Sequence, residues 1–315
     1  MHYNLENLHL IQDDTLVANR TFIQKRTKNI ESPAQYPASF LPQQAMPTGT
    51  VTFQYQVYDG KLRSIDAEVI EEGYLTIYVN GHELVTLMCT PLDPMQLALG
   101  FLANEELIHS LDEVEISHIC PSGGCVDLWL NHSIQGRTLR RVITSGCGGG
   151  TTFAELAAYR APLQSDRRIE PHQLGALMVQ LQDRSSLYAR SRGVHTSGLS
   201  DGEHLLFVAE DVGRHNTLDR LRGECLRQRV DSCGMILLTT GRISSEMIIK
   251  AAHMNCPIVA SRTSPTSLSV GLARAWNITL CGYVRRHRMN VYAHPERLLI
   301  ASYRSSPTPE ASLFS

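Results

Sequence analysis

The chain has 315 residues, which suggests two domains or one large one, since domains usually hold roughly 100–200 residues. It carries 29 basic and 31 acidic side chains, and the net charge of −2 argues against nucleic acid or a membrane surface as a partner. No stretch approaches the ~20 apolar residues of a membrane span, and the first residues show no targeting signal, so we expect a cytoplasmic protein.

The residue pattern divides the chain into four predicted segments. Residues 1–50 predict an extended appendage, because prolines punctuate them and no hydrophobic period emerges. We expect a smaller β-rich N-terminal domain with a glycine-rich cysteine loop at 51–150 and an α/β ligand-binding domain at 151–300. A C-terminal tail follows at 301–315.

The β-rich segment begins with clear local signals. Apolar and polar residues alternate over 51–57, which is typical of a strand. A second strand is predicted at 75–79, and Asn80-Gly81 directly after it favours a tight hairpin turn. Asp93 and Pro94 then predict the N-cap and the first residue of a helix.

Two helices are predicted in the middle of the chain. Residues 151–159 form a short one, in which Thr152 and Glu155 have the spacing of a capping box. A longer helix covers 171–190, where leucines and Tyr188 recur at helical spacing on one apolar face.

The C-terminal third alternates between apolar strands and helices. Strands are predicted at 205–208, 235–238, 258–260 and 278–284, with helices between them at 215–226, 246–254 and 266–276. This alternation favours βαβ crossovers and a mainly parallel, buried sheet, so the predicted fold class is α/β.

Each of these four strands is followed by a polar loop with arginine, and ligands of open α/β sheets bind at the carboxyl ends of the strands. Three of the loops begin helices, whose free N–H groups favour anions, and arginine pairs well with phosphate. We therefore predict a ligand that carries phosphates; the alternative is that the hydroxyl residues only cap helices and the arginines are solvated. Neither a P-loop nor a GxGxxG motif is present. The predicted contacts are His195, Asp211, Arg214, His215, Gly241, Arg242, Ser261, Ser264 and Thr266.

A second feature is the segment 144–150, in which Cys147 precedes three glycines. Such a loop has no side chains to shield the sulfur, and a helix starting just downstream favours the thiolate, which is the reactive form. Cys147 is therefore our candidate nucleophile, and Cys125 after Gly123-Gly124 is a weaker one. The alternative is a glycine hinge with an incidental cysteine.

The eight cysteines are scattered and form no C-x-x-C pair, so we expect free thiols, with Cys89 and Cys281 in the core. A zinc site from Cys120 and Cys125 with a nearby histidine or Cys147 is a weaker alternative, and it would imply a metal-dependent hydrolase. We otherwise expect no metal.

Motifs in order along residues 70–300 resemble the FdhD family of formate dehydrogenase accessory proteins. The most specific are EDVGRHN at 210–216, GVHT at 193–196 and SPTSL at 264–268. Residues 97–102 and 288–292 also match. His195 lies in the second of these motifs, although a lone histidine is also a common structural residue.

The resemblance implies a sulfurtransferase in molybdenum cofactor biosynthesis. Such proteins take persulfide sulfur from a cysteine desulfurase on a loop cysteine, here Cys147. They deliver it to the bis-molybdopterin guanine dinucleotide cofactor, bound as cargo, which becomes active in the catalytic subunit of formate dehydrogenase. The resemblance also implies a homodimer and a three-layer C-terminal domain similar to cytidine deaminase. The deaminase zinc signature is absent, so deaminase chemistry is excluded.

The segment that matches the family's cofactor-binding stretch consists of Tyr283, Val284, Arg285, Arg286, His287 and Arg288. One departure is Gly150, which stands where some members carry the second cysteine of a C-x-x-C pair. A disulfide relay within the loop is therefore excluded, and a single-cysteine mechanism is expected. The same departure leaves open a non-catalytic chaperone that only binds the molybdenum cofactor for formate dehydrogenase.

Overall fold

A computed structural model describes residues 48–134, 158 and 160–300, and within them it shows a mixed α/β protein with three sheets. The cysteine loop with Cys147, nearly all of the predicted helix at 151–159, most of the appendage and the tail lie outside the described residues. Among the described helices, none is long and apolar enough to cross a membrane.

A two-stranded antiparallel ribbon begins the described chain and consists of β1 (Thr50–Tyr58) and β2 (Leu62–Ile70). Phe53 of β1 lies opposite Ala67 of β2. Because alternate residues of a strand share a face, these positions give the ribbon an apolar face. The strand predicted from the alternation at 51–57 is confirmed.

The second sheet has four strands in the order β4–β3–β6–β5. These strands are β3 (Gly73–Val79), β4 (His82–Cys89), β5 (Val114–Ile119, after a 3₁₀ turn at Leu111–Glu113) and β6 (Cys125–Leu130). Asn80 and Gly81 join β3 to β4 with φ values of 51° and 79°. A two-residue hairpin turn requires such left-handed backbone, so the predicted hairpin is confirmed.

Helix α1 (Pro94–Asn104) covers one face of this sheet. Asp93 caps it as predicted, because its Oδ1 atom accepts a hydrogen bond from the N–H of Gln96 at 3.1 Å. Leu97 and Leu102 are fully buried between the helix and the sheet. Their burial anchors α1 to the N-terminal part of the chain.

Helix α1 also lies directly against helix α4 (Arg214–Arg227), because glycines occur where the two helices cross. A Cβ atom on Gly100 would lie 1.6 Å from the carbonyl oxygen of Asp219, and one on Gly223 would lie 1.9 Å from that of Gln96. Only glycine allows this backbone approach. The described residues all belong to one compact unit.

The third sheet has six strands in the order β12–β11–β10–β9–β7–β8. These strands are β7 (His195–Ser200), β8 (Leu205–Asp211), β9 (Ile236–Thr239), β10 (Ile258–Ser261), β11 (Thr279–Arg285) and β12 (Arg288–Ala293, followed by a 3₁₀ turn at Pro295–Arg297). Only β9–β10 and β10–β11 are parallel pairs among these six strands. The predicted mainly parallel sheet is therefore wrong. The sheet is mixed because β7 lies antiparallel between β8 and β9, and because β12 returns as a hairpin along β11.

Helices cover both faces of this sheet. Helix α2 (Pro171–Asp183) packs on Ile236 and Leu238, while α4, α5 (Ser245–His253) and α6 (Ser267–Ala275) share the core on the other face. The described residues therefore form a helix–sheet–helix arrangement. The likeness to cytidine deaminase and the four segment boundaries stay predictions.

The single helix predicted at 171–190 is wrong, because the chain forms α2 and then a separate helix, α3 (Ser186–Ser191). The carboxylate of Glu210 accepts hydrogen bonds from the N–H groups of Leu187 at 2.8 Å and Tyr188 at 2.9 Å. These are N–H groups that a helix start leaves without an internal partner. A side chain from strand β8 therefore supports a new helix inside a continuous apolar pattern.

Candidate anion-binding cleft

A cleft of about 490 Å³ lies at the carboxyl ends of strands β9, β10 and β11. The strand ends contribute Thr240, Arg262, Thr263 and Arg285, and the other wall includes Tyr188, Arg192 and His195. The cleft is at the sheet edge where the sequence predicts a ligand. Two of the predicted contacts, His195 and Arg285, line it.

Three arginines give the cleft its charge. The guanidinium of Arg285 donates to the backbone carbonyl oxygen of Arg262 at 2.8 Å. Burial, together with the charge of Arg285, lowers the pKa of Arg262. Within the described part of the chain, no carboxylate lies at ion-pair distance from Arg192, Arg262 or Arg285. Like charges held together without a counterion favour an anionic ligand.

Tyr188 supplies an aromatic surface in the same wall. Its side chain is 39% exposed, and the guanidinium of Arg192 lies 5.2 Å from the centre of its ring. Glu210 fixes the ring's position by holding the N-terminus of α3. An exposed aromatic ring beside arginines is the combination that stacks a nucleobase and binds its phosphates.

His195 begins strand β7 and faces the cleft as a neutral side chain. Burial lowers its pKa, and the charge of Arg214 acts in the same direction, while Asp211 opposes both. A Cβ atom on Gly241 would lie 3.3 Å from the Nδ1 atom of His195. The absence of a side chain at Gly241 therefore leaves this ring nitrogen room at the strand end.

Several predicted contacts hold the loops rather than line the cleft. Ser261 is fully buried, and its hydroxyl donates to the carbonyl oxygen of Gly241 at 2.6 Å. Thr266 caps helix α6, because its Oγ1 atom accepts from the N–H of Ser269 at 3.3 Å. The carbonyl oxygen of Ser264 accepts from the neighbouring loop. These residues position the strand ends, and direct ligand contact by them stays a prediction.

Asp211 is fully buried and contacts residues from both the N-terminal and the C-terminal part of the described chain. Its carboxylate pairs with Arg220 at 2.8 Å and accepts from the N–H groups of Thr90 at 3.3 Å and Gly213 at 2.8 Å. Burial raises its pKa against the pull of Arg220. With these partners inside the protein, Asp211 has a structural role, and its predicted ligand contact is untested.

The predicted stretch from Tyr283 to Arg288 is divided by the β11–β12 hairpin. Tyr283 is 45% exposed and has a φ of 53°, which is unusual for a tyrosine. Val284 is buried in the core, whereas Arg286, His287 and Arg288 are exposed around the turn. Arg285 is the member of this stretch that lines the cleft. Arg242, from the second loop, is also exposed.

Sequence reasoning missed Tyr188, Arg192, Arg262 and Thr263 as ligand candidates. The apolar spacing continues across the break between α2 and α3, so the pattern places Tyr188 on the apolar face of one long helix. Arg262 and Thr263 follow a predicted strand and match the pattern of the other loops, so the loop rule could have found them. Arg192 has a left-handed φ of 58° at the end of α3, which sequence pattern does not reveal.

The cysteines divide into three groups. The sulfurs of Cys120 and Cys125 are paired as a disulfide, which corrects the expectation of a free thiol at each. Cys89 and Cys281 are buried, as predicted, and Cys233 is exposed. The described residues contain no cluster of three or more His, Cys, Asp or Glu side chains able to hold a metal ion. Cys147 lies outside the described residues.

The model of the FdhD/NarQ family matches residues 70–299, which is most of the chain. The chain belongs to the FdhD/NarQ family. The family predicted from the motifs is confirmed. All of the cleft residues named above fall within the matched region.

Relatives and a solved structure agree with this assignment to the FdhD/NarQ family. Two similar relatives, from Staphylococcus aureus strains MRSA252 and Newman, are described as sulfur carrier protein FdhD. Each is 37% identical over 246 residues, covering 76% of this chain and 93% of the relative. A crystal structure from Desulfotalea psychrophila, described as a formate dehydrogenase accessory protein, is similar with a TM-score of 0.66 and 28% identity. That match covers 79% of this chain and 99% of the other.

Proposed function

We propose that this chain is a sulfurtransferase that carries persulfide sulfur on Cys147 from a cysteine desulfurase to the bis-molybdopterin guanine dinucleotide cofactor required by formate dehydrogenase. The observation that carries the proposal is membership of a family whose relatives are described as sulfur carrier proteins. The cofactor is cargo, and the partners are the desulfurase and the catalytic subunit of formate dehydrogenase. The proposed working form is a cytoplasmic homodimer.

The cleft suits the guanine nucleotide end of this cargo in size, charge and ring chemistry. Its volume of about 490 Å³ falls within the roughly 300–1,000 Å³ of most small-ligand sites. Arg192, Arg262 and Arg285 would bind the phosphates, and Tyr188 would stack on the base. The Nε atom of Arg214 is buried without a hydrogen-bond partner in the described part of the chain, which adds an unused donor nearby.

The first transfer requires only a thiolate. The Cys147 thiolate attacks the outer sulfur of the donor persulfide, a new S–S bond forms, and the donor's S–S bond breaks to release its thiolate. The molybdenum centre of the cofactor is the final acceptor of that sulfur. The role of the cleft in this sequence is to hold the cargo by its nucleotide end.

The deciding experiment is intact-protein mass spectrometry after incubation with a cysteine desulfurase and cysteine. We expect wild type to gain about 32 Da, the mass of one sulfur atom, and Cys147→Ala to gain nothing. Cys233→Ala is the matched control, because it removes another exposed thiol and should keep the adduct. An adduct that persists in Cys147→Ala but disappears in Cys233→Ala would contradict the assignment.

A second candidate function is a chaperone that binds the cofactor without carrying sulfur. Gly150 favours it, because this position holds no second cysteine for a relay. That function predicts no adduct on wild type, and normal restoration of formate dehydrogenase activity by Cys147→Ala in a strain that lacks its own copy. Loss of restoration in Cys147→Ala with cofactor binding retained would instead support sulfur transfer.

A further inference from the structure

Three polar side chains lie next to one another where helices α4 and α5 begin. The Nε2 atom of His215 lies 3.0 Å from the Oγ atom of Ser244, and its Nδ1 atom lies 3.3 Å from Oε2 of Glu246. His215 is the second residue of α4, while Ser244 caps α5 and Glu246 is its second residue. The imidazole therefore lies between a hydroxyl group, to which it is hydrogen-bonded, and a carboxylate at ion-pair distance.

This chain of side chains lies one residue away from the cleft. Gly241 separates them, since an added Cβ atom there would lie 3.3 Å from His195 in the cleft wall and 3.2 Å from the Cβ of Arg214. Arg214 directly precedes His215. His215 and Ser244 are partly exposed. A group bound at this sheet edge can therefore approach the Ser244 end.

The carboxylate of Glu246 shares its neighbouring cation with other carboxylates. Lys250 is this cation, and its Nζ atom binds Asp219 at 2.7 and 2.9 Å and lies 3.9 Å from Glu246 and 3.7 Å from Glu105. Because Asp219 occupies Lys250, burial dominates and raises the pKa of Glu246 to about 7. The negative charges of Asp219 and Glu105 act in the same direction, while Lys250 and Arg214 oppose it. Glu246 can therefore gain or lose a proton near neutral pH.

The histidine in the middle resists a positive charge. Burial lowers the pKa of His215 to about 3, and the neighbouring charges of Arg214, Lys250 and His195 act in the same direction. Because the imidazolium form is disfavoured here, His215 accepts a proton at one nitrogen only as it releases the proton from the other. His215 is therefore suited to passing a proton between its neighbours and not to storing one.

We propose that Ser244, His215 and Glu246 form a proton relay, with Ser244 as the substrate-facing end and Glu246 as the proton store. The substrate class is a sulfur acid, that is, the S–H group of a persulfide presented at this sheet edge. This assignment rests on the proposed sulfur-transfer function, but it holds for a persulfide on any cysteine. Ser244 is the catalytic residue of the relay, and His215 and Glu246 act through it.

The relay step moves one proton and no electrons. The persulfide S–H gives its proton to Ser244 Oγ, the Ser244 proton moves to His215 Nε2, and the proton on Nδ1 moves to the Glu246 carboxylate. No heavy-atom bond breaks, and the products are a persulfide anion and a neutral Glu246. The anion is the form of sulfur that binds a metal centre, so the step prepares the sulfur for delivery.

The tautomer of His215 reports directly on the relay. When Glu246 is protonated it donates to Nδ1, so the proton of the ring is on Nε2; when Glu246 is ionised it accepts from Nδ1–H, and Nε2 accepts from Ser244. We expect ¹⁵N NMR of the full chain to show this switch with a midpoint near pH 7 and no imidazolium. Glu246→Gln should abolish it. A tautomer that stays fixed between about pH 5.5 and 8.5 would overturn the proposal.

Substitutions at Ser244 separate the relay from helix capping. Asparagine caps helices about as well as serine but has no hydroxyl proton to pass on, whereas threonine keeps the hydroxyl and caps slightly less well. We expect Ser244→Asn to fold normally and to slow activation of formate dehydrogenase by about 100-fold or more, and Ser244→Thr to retain most of the rate. Normal activation of formate dehydrogenase by Ser244→Asn would show that Ser244 only caps helix α5.

The sulfur adduct keeps this proposal distinct from the proposed function. We expect the adduct of about 32 Da on wild type and on Glu246→Gln alike, with slower delivery only in the variant. Equal delivery by both proteins would overturn the relay. Absence of the adduct from wild type would instead remove the proposed function, and the NMR measurement would then decide the relay alone.

Discussion

Charged side chains are paired with opposite charges in one region of this protein and lack such partners in another, among the described residues. At the joint between α1 and α4, Asp211 pairs with Arg220 and Asp219 pairs with Lys250, all of them buried. At the cleft, Arg262 and Arg285 lie together with no carboxylate at ion-pair distance among the described residues. Paired charges of the first kind hold the fold together, whereas unpaired charges of the second kind are available to a ligand.

The largest effect should come from breaking a pair at the joint. Arg220→Met leaves the Asp211 carboxylate buried without its cation, and we expect the free energy of unfolding to fall by about 3–5 kcal/mol in urea titrations. Arg262→Met is the comparison, since it removes a charge repelled by Arg285 and should leave stability unchanged or slightly higher. Equal losses in the two variants would show that the regions do not differ.

Glu246 is an intermediate case, because Lys250 lies 3.9 Å from it but pairs more closely with Asp219, at 2.7 Å. Its pKa of about 7 in the folded protein exceeds the 4.5 of a free glutamate, so the folded state binds the proton more tightly. The contribution of this group to stability is therefore present below about pH 4.5 and is lost as pH rises to about 7. We expect the unfolding free energy of Glu246→Gln to exceed that of wild type by about 2–3 kcal/mol at pH 8 and by little at pH 4.5.

The control for this pH dependence is Glu115→Gln, which changes an exposed glutamate on β5. His215 adds an opposite dependence, since its low pKa removes stability as pH falls below about 6.5, but this contribution is present in both proteins of the comparison. A difference between Glu246→Gln and wild type that does not vary with pH would contradict the assignment of Glu246.

The unpaired arginines should matter for ligand affinity instead. We expect Arg262→Met to weaken binding of guanosine diphosphate by about 10- to 100-fold in calorimetric titrations, because each charge-assisted hydrogen bond contributes about 1.5–3 kcal/mol. Arg63→Met, on the ribbon and paired with Asp59, should bind as wild type does. Equal affinity of Arg262→Met and wild type would place the phosphates elsewhere.

The smallest expected effect separates ring stacking from charge at the same wall. Tyr188→Ala should weaken guanosine diphosphate binding by about 5- to 20-fold, the lower part of the about 1–3 kcal/mol that stacking of a base on an aromatic ring contributes. Tyr188→Phe keeps the ring and should retain the affinity. If Phe and Ala weaken binding equally, the hydroxyl group and not the ring face makes the contact.

Features with a local physical cause were predictable from the sequence. Asn80-Gly81 form a turn because these two residues adopt positive φ readily, and Asp93-Pro94 begin α1 through a cap and a fixed φ that involve only neighbouring residues. The strand-and-helix alternation after residue 205 also follows from periodicity alone. The motifs in this region were sufficient to identify the family.

Features that depend on distant partners were not predictable. Strand β7 contains Leu199 as its only large apolar residue, and it is a strand because β8 and β9 pair with both of its edges. The start of α3 depends on Glu210, more than twenty residues further along. The sequence therefore did not predict the two elements that position His195, on β7, and Tyr188, on α3, in the cleft.

The contact between Gly100 and Gly223 limits how the protein can be shortened for experiments. A fragment that begins at residue 160 lacks α1, and so it exposes the face of α4 on which that helix rests. It also removes the carbonyl oxygens of Thr90 and Leu92, which accept hydrogen bonds from Arg220. The buried ion pair between Arg220 and Asp211 would then be exposed to water. A shortened protein for work on the cleft should therefore retain the chain from the ribbon onward, even though every cleft residue lies after position 180.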